Sequence, residues 1–358
     1  MLAPMRFDRR TVSVLGGYGC VGRYALRVAR TRQGGSRREV LRNLLVYRRF
    51  LGEVRAEIVH VQHPLERCVY ARIVRQAEHW QTPLVVTAHS LFGEHEDATI
   101  HAVMAPNLRA ADRVIAVSDH IADQAISLGV DSRRVRVIRS GVDTQRFRPA
   151  AATERTQARQ RLEVAATAPM ILFVGNLEPR KQVDVLLRAL ARVRERRPDA
   201  QLLVVGTGEN AGDLDQTAQL ARLTHELGLD TAARFVGRLS DEGLRDAYAA
   251  ADVFALPSSS EAQGIVALEA MACGLPVVAS AVGGLLGTIE DQKSGFLVPS
   301  GDVDALAARL AEVLGEPARR VDVGASARLA VERRFGWDQA VAATCEVYRE
   351  VIASGARA

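Results

Sequence analysis

Lysine is nearly absent from this 358-residue chain: Lys181 and Lys293 are the only two among 47 lysines and arginines. Cysteine is scarce as well. Cys20, Cys68, Cys273 and Cys345 lie far apart and form no Cys-x-x-Cys pair. That argues against a disulfide framework or a zinc site and fits a reducing cytosol. No run of 18 apolar residues lacks a charge, so no transmembrane helix is expected. The first residues carry Arg6, Asp8, Arg9 and Arg10 without an apolar stretch behind them, so they do not read as a signal peptide. Basic residues are not interleaved with aromatics and no recognition-helix pattern is present, so nucleic acid is not an expected partner. His60 and His63 stand at i, i+3 spacing, but no Asp, Glu or Cys cluster completes a metal site around them.

What is present is a soluble, globular composition, 48% hydrophobic with a mean hydropathy near zero. The length suits two domains with separate cores. Positive charge is concentrated at the start: residues 1–60 hold thirteen Arg and four acids, a balance of +9, which leaves −4 for the remainder. The plain reading is a codon-biased genome and a solvated surface. The functional reading is a basic face that attracts anionic lipid or an anionic acceptor. The plain one is preferred. A helix over Val40–Leu51 would carry such a face, although packing its leucines on a sheet is the simpler role.

Short apolar strands alternate with amphipathic helices along the chain. Strands are expected at Val12–Leu15, Ile58–Val61, Leu84–Val86, Val114–Val117 and Val135–Ile138. A second set is expected at Ile171–Val174, Leu202–Val205, Arg234–Val236, Val253–Leu256, Val277–Ala279 and Phe296–Val298. This alternation implies parallel sheets with right-handed crossovers, whose ligands bind at the carboxyl ends of the strands. Residues 148–169 lack a strand pattern, so the domain boundary is placed there. The expected division is 1–160, 161–335, and a final helix over 336–358.

The stretch Glu261-Ala-Gln-Gly-Ile-Val-Ala-Leu-Glu269 sets two carboxylates eight residues apart around Gly264, which opens an apolar helix. A carboxylate among apolar neighbours costs several kcal/mol unless a partner satisfies it. The bland reading turns Glu269 outward or gives it a structural hydrogen bond. The helix start, however, offers free N–H groups and a dipole that favour an anion. Backbone donors for a phosphate beside a carboxylate for a sugar hydroxyl describe a nucleotide-sugar site. Arg180 and Lys181 follow a strand, Gly175 and Pro179, and adjacent cations there suit a diphosphate leaving group. His89 follows the strand at Leu84–Val86, where it would face the cleft. Asp112 reads as a capping or turn group.

The segment from Glu261 to Ser280 resembles the signature of retaining glycosyltransferases of family 4. Val174-Gly-Asn-Leu-Glu-Pro-Arg-Lys181 is similar to that family's diphosphate loop, and Phe235-Val-Gly237-Arg-Leu239 and Ala251-Asp-Val-Phe-Ala-Leu-Pro-Ser258 fall in family order. So do His60-Val-Gln-His-Pro64, Pro83 to His89, and Val137 to Asp143. The likeness covers roughly residues 56 to 350. It implies the GT-B architecture, two Rossmann-like doubly wound parallel-sheet domains facing a cleft. It also implies a retaining, metal-independent hexosyl- or related transfer in carbohydrate biosynthesis, from a UDP- or GDP-sugar to an acceptor hydroxyl. No cofactor is implied, the nucleotide-sugar being substrate. Implied donor contacts are Gly17, Gly19, Arg180, Lys181, Gly237, Gly264, Ile265 and Glu269. Implied groups at the reacting centre are His89, Glu261, Arg180 and Lys181. The acceptor is a glycan, a lipid-linked sugar or a small molecule. The setting is cytoplasmic, with weak peripheral contact at the inner membrane face as an option.

Some residues depart from the family pattern. Asn176 stands where Arg is usual, Gln182 where Gly is usual, and Gly287 where Glu is frequent. Residues 1–56 look short for the usual N-terminal domain. Gly17-Tyr-Gly-Cys-Val-Gly22 also matches Gly-x-Gly-x-x-Gly, which keeps open an NAD(P)-binding oxidoreductase. A non-catalytic sugar-nucleotide-binding or scaffold protein is the other rival.

Overall fold

The computed structural model describes residues 11–14, 44–45, 47–49, 56–64, 66–78, 81–91, 98–208 and 211–355. The expected Gly17–Gly22 loop, with the expected donor contacts Gly17 and Gly19, lies outside them, as do most of residues 1–56. The chain divides into two units. One comprises residues up to Arg139 together with those from Val341 onward, and the other runs from Ser140 to Ala340.

In the first unit the Val- and Ile-rich runs form β1 (Thr11–Val14), β2 (Ile58–Val61), β3 (Leu84–Ala88), β4 (Arg113–Ala116) and β5 (Val135–Val137). All pair in parallel, in the order β1-β2-β3-β4-β5. Every residue of β2 and β3 is buried, as expected of a parallel strand covered on both faces. Between the strands run α1 (Glu66–Ala77), α2 (Ala98–Arg109) and α3 (Asp119–Ser127). Ser118 caps α3 by accepting from the Ile121 amide at 3.2 Å. Asp112 is the turn group anticipated: it accepts from the Leu84 amide at 2.7 Å and from both terminal nitrogens of Arg75 at 2.7 and 3.1 Å. Residues 44–45 and 47–49 are helical. Tyr47 there is fully buried and Arg48 pairs with Glu78 at 2.7 Å.

The second unit carries β6 (Met170–Val174), β7 (Gln201–Val205), β8 (Ala233–Gly237), β9 (Val253–Leu256), β10 (Val277–Ser280) and β11 (Phe296–Val298). Their order is β11-β10-β9-β6-β7-β8, all parallel. The chain winds outward from β6 in one direction and from β9 in the other, which makes the β6–β9 seam a topological switch point. Both units are therefore parallel α/β layers, and each described strand lies within a residue or two of its expected place.

One helix departs from the expected pattern. α4 (Ala152–Arg161) falls in the stretch where the domain boundary is expected, and it belongs to the second unit. The division thus lies between Arg139 and Ser140, earlier in the chain than the expected residue 160. The physical reason is that arginines hold α4 in place of leucines. Arg155 and Arg159 both bond Asp252, at 2.8 and 2.7 Å, and Arg159 also donates to the carbonyls of Ala165, Ala166, Ala168 and Ala250. The remaining helices are α5 (Val183–Arg196), α6 (Ala211–Glu226), α7 (Asp241–Ala250), α8 (Ile265–Ala272), α9 (Leu285–Thr288), α10 (Val303–Gly315), α11 (Pro317–Arg334) and α12 (Trp337–Gly355). From Val341, α12 belongs to the first unit, where Val347 and Val351 pack on Ile58, Val85 and Ile115. Among the described residues no helix is long and apolar enough to cross a membrane.

Candidate active site

The loop that leaves β6 and the loop that leaves β9 meet at the switch point. Pro179–Lys181 form a short 3-10 turn. Its middle residue, Arg180, accepts through its carbonyl from the Ser259 amide at 2.8 Å. Beside that bond Lys181 Nζ pairs with Glu261 Oε1, and Ser258 Oγ donates to the same oxygen at 2.9 Å. The side chains of Lys181 and Glu261 are each 9% exposed. Burying two charges is tolerated only when they pair closely and further hydrogen bonds satisfy them. Glu261 Oε2 has no hydrogen-bond partner among the described residues. Arg180 is more open, 46% exposed, and its Nε donates to Glu178 Oε2 at 2.6 Å.

Gly264 opens α8 at φ +81°, a left-handed conformation that a side chain disfavours. A β-carbon there would also lie 2.5 Å from Leu285 Cδ2. No side chain caps the helix, so its first amides are left for water or a ligand. Ile265 follows, 40% exposed. One turn on, Glu269 is half-buried and accepts from the Tyr248 hydroxyl at 2.8 Å. Its pKa is raised by desolvation, against which the Tyr248 bond and the charge of Arg146 pull down. Tyr248 is fully enclosed beside Phe147 and Phe254. The expected partner for a carboxylate among apolar residues is thus a tyrosine on α7. In the sequence, Tyr248 shows only as an aromatic on an alanine-rich helix.

Gly284 supports this loop from outside. Its amide donates to the Glu261 carbonyl at 2.8 Å, and a β-carbon there would stand 2.0 Å from the Ala262 carbonyl oxygen. Gly284→Ala is therefore expected to cost about 1–3 kcal/mol in stability from overpacking. It should also lower kcat/KM by about 100-fold, the usual effect of a misplacement near 1 Å at a reacting centre. Thermal melting and steady-state kinetics check both; an alanine variant with unchanged kinetics would show that the loop position is not critical. Thr288 Oγ1 donates to the Gln263 carbonyl at 3.0 Å, and Gln263 exchanges two 2.9 Å bonds with the Ser140 backbone.

The departures from the family pattern have local explanations. Gln182 adopts φ +49°, the left-handed region where Gly is usual, and its side-chain oxygen accepts from Ser300 Oγ at 3.2 Å. Asn176 leans on Glu178 at 3.4 Å. The Gly287 carbonyl accepts from Arg334 at 2.8 Å. Gly237 closes β8, and its carbonyl accepts from the Gly206 amide at 2.9 Å. It therefore sits two strands away from β6 in the sheet order.

Arg180, Lys181, Glu261, Gly264, Ile265 and Glu269 all belong to the second unit, whereas His89 belongs to the first. There His89 Nε2 bonds Gln62 Oε1 at 2.8 Å, and its ring stands 5.8 Å from that of His63. Desolvation, then the charge of His63, brings the His89 pKa down to about 4. His60 is buried between Tyr348 and Thr87, at 2.5 and 2.7 Å, and burial takes its pKa down to about 3. Among the described residues no group of three or more His, Cys, Asp or Glu could hold a metal ion. His60 thus belongs to a hydrogen-bonded chain with Tyr348, Thr87 and Gln62, whereas His63 stands beside His89 with its Nδ1 buried and without a hydrogen-bond partner among the described residues.

Sequence comparison adds to this geometry. The profile described as Glycosyl transferases group 1 matches residues 154–330, and that described as Glycosyltransferase Family 4 matches residues 8–146. The D-inositol 3-phosphate glycosyltransferase 2 of Catenulispora acidiphila is 39% identical over 292 residues, covering 77% of this chain and 67% of that protein. The D-inositol 3-phosphate glycosyltransferase of Saccharomonospora viridis is 38% identical, with 77% and 67% covered. The chain thus spans about two thirds of the length of these curated relatives. Among solved structures, the sucrose-phosphate synthase of Thermosynechococcus elongatus superposes with a TM-score of 0.77 at 29% identity, covering 90% of this chain and 82% of its own. Anabaena HepE in complex with UDP gives 0.79 at 24% identity, covering 86% and 82%, and shares the fold.

Proposed function

The chain belongs to the group 1, family 4 glycosyltransferases, and from that premise we propose that its second unit holds a nucleotide-diphosphate sugar at the β6–β9 switch point. The observation that carries this reading is the buried Lys181–Glu261 pair beside the uncapped start of α8. The free amides at Gly264 and Ile265 take the diphosphate together with Arg180 and Lys181, whose three N–H donors can serve Glu261 and a phosphate at once. Glu261 Oε2 accepts from a hydroxyl of the donor sugar. Glu269 accepts from the ribose. In the first unit, His89 contacts the transferred sugar or the acceptor.

Transfer proceeds with retention. As the glycosidic bond breaks, charge grows on the departing phosphate, and fixed cations stabilise that charge more than they stabilise the bound donor. The departing phosphate oxygen takes the acceptor proton during front-face attack, so no protein nucleophile is needed. The relatives carry D-inositol 3-phosphate in their names, which makes a phosphorylated polyol the first acceptor to try. Gly17–Gly22 then belongs to a glycosyltransferase loop and not to an NAD(P) site.

A panel of UDP-, GDP- and ADP-sugars tests this reading, scored by melting shift and slow donor hydrolysis. A donor at 100 times its Kd stabilises by about 2.7 kcal/mol. Turnover is expected to persist in EDTA, because Arg180 and Lys181 supply the charge that a metal would otherwise supply. Activity abolished by EDTA and restored by Mg²⁺ or Mn²⁺ would refute that assignment. Contact with anionic lipid rests on the +9 balance of residues 1–60 alone. Salt-sensitive co-sedimentation with anionic but not neutral vesicles would support it.

A further inference from the structure

The carboxyl ends of β2 and β3 carry a hydrogen-bonded chain that ends at His89. Tyr348 meets His60 Nδ1 at 2.5 Å, and Thr87 meets His60 Nε2 at 2.7 Å. The Gln62 amide nitrogen stands 3.4 Å from that same Nε2, and its oxygen 2.8 Å from His89 Nε2. A neutral imidazole has one N–H and one lone pair. With Thr87 Oγ1 donating to His60 Nε2 at 2.7 Å and the Gln62 amide nitrogen directed at the same atom from 3.4 Å, that atom is an acceptor, so the His60 proton is on Nδ1 and faces Tyr348. The other end of the amide is then an acceptor, and only a His89 ring with its proton on Nε2 satisfies it. His89 Nδ1 is left with a lone pair and has no hydrogen-bond partner among the described residues.

We propose that Gln62, oriented by His60, is a positioning residue that holds His89 in its Nε2–H form and presents Nδ1 as an acceptor for a neutral hydroxyl, not for a phosphate. The inference rests on the reading that His89 contacts sugar or acceptor. Other features of the cluster agree. Among the described residues no lysine or arginine bonds to His60, Gln62, His63 or His89. The rings of His60, His63 and His89 all favour the neutral state, chiefly through desolvation. A lone pair repels a phosphate oxygen, whereas a sugar or polyol O–H donates to it.

The tautomer is read directly from the ring nitrogens by ¹⁵N NMR of the donor-free protein, with His89→Asn for assignment. The expected spectrum places the proton of His89 on Nε2 and the unprotonated signal on Nδ1. Gln62→Leu should convert this single form into a mixture and lower kcat about 10-fold, with the donor KM little changed. Gln62→Glu, which keeps the acceptor toward His89, should retain the Nε2–H form. Millimolar glucose or inositol should shift the Nδ1 signal, and inorganic phosphate should not. A proton on Nδ1, the arrangement that follows if the Gln62 amide is reversed, would overturn the proposal, as would a tautomer unaltered in Gln62→Leu. The NMR result needs no donor, so failure of the donor-site assignments at Lys181 and Glu269 would leave it standing.

Discussion

Lys181→Ala is expected to lose both stability and turnover, and pairing it with a second change should separate the two. Lys181 and Glu261 are buried together, and Ser258 is the only other donor to Glu261 Oε1 among the described residues. Removing one partner of a buried ion pair leaves an uncompensated charge and typically costs about 3–5 kcal/mol. At roughly 2–4 °C per kcal/mol for a domain of this size, the melting temperature should fall by roughly 6–20 °C. The double variant Lys181→Met/Glu261→Gln removes both charges at similar volume, and replacements of that kind are often neutral or stabilising. It should recover the melting temperature. It should not recover turnover, because a cation on the leaving diphosphate is worth about 2.7–4 kcal/mol, or 100- to 1,000-fold in kcat. Thermal melting and donor turnover read the two effects apart. A Lys181→Ala protein with unchanged melting and unchanged turnover would refute both the pair and its role.

Much of this architecture is legible before any coordinate. Strands such as Ile58–Val61 and Val253–Leu256 are dense in β-branched and large apolar residues and are buried on both faces, so composition alone marks them. The places of Lys181, Glu261, Gly264 and Glu269, after a strand and at a helix start, are legible from spacing, and the donor contacts assigned to them are the proposal. What sequence conceals is pairing across the fold. Tyr248 reaches Glu269 from another helix, and Gly284 supports the loop at Glu261 from beyond β10. Gln62 matters through a bond to a residue 27 positions away. The helix Ala152–Arg161 escaped because its hold on the sheet is made by Arg155 and Arg159 on Asp252, and periodicity registers apolar stripes only. Lys181 is a case of partial legibility. Its place after a strand suggested a phosphate contact, but its burial against Glu261 means that binding must work with an existing ion pair.

Glu269→Gln is expected to make the donor-free protein more stable while weakening its hold on nucleotide. The Glu269 carboxyl is raised above the ordinary carboxylate range because desolvation outweighs the Tyr248 bond and the charge of Arg146. A carboxyl with a folded pKa above its unfolded value binds more protons in the folded state. Stability then falls as pH rises from the unfolded pKa through the folded one, and above both the ionised group is a standing cost. Glutamine has the same shape, carries no charge, and keeps an oxygen to accept from the Tyr248 hydroxyl. Its melting temperature should therefore exceed that of the parent at neutral pH, and the gain should vanish in acid, where Glu269 is protonated. Donor binding should move the other way. Hydrogen bonds to an ionised acceptor contribute about 1.5–3 kcal/mol, so loss of the charged acceptor for ribose hydroxyls should weaken affinity by roughly 10- to 150-fold. Tyr248→Phe is the complementary variant. It leaves Glu269 without its hydroxyl donor, so it should be less stable than the parent at neutral pH and closer to it in acid. Melting curves across pH and calorimetric titration with the matched nucleotide measure both halves. If Glu269→Gln melts lower at neutral pH and binds nucleotide as tightly as the parent, Glu269 is a structural carboxylate and the ribose assignment fails.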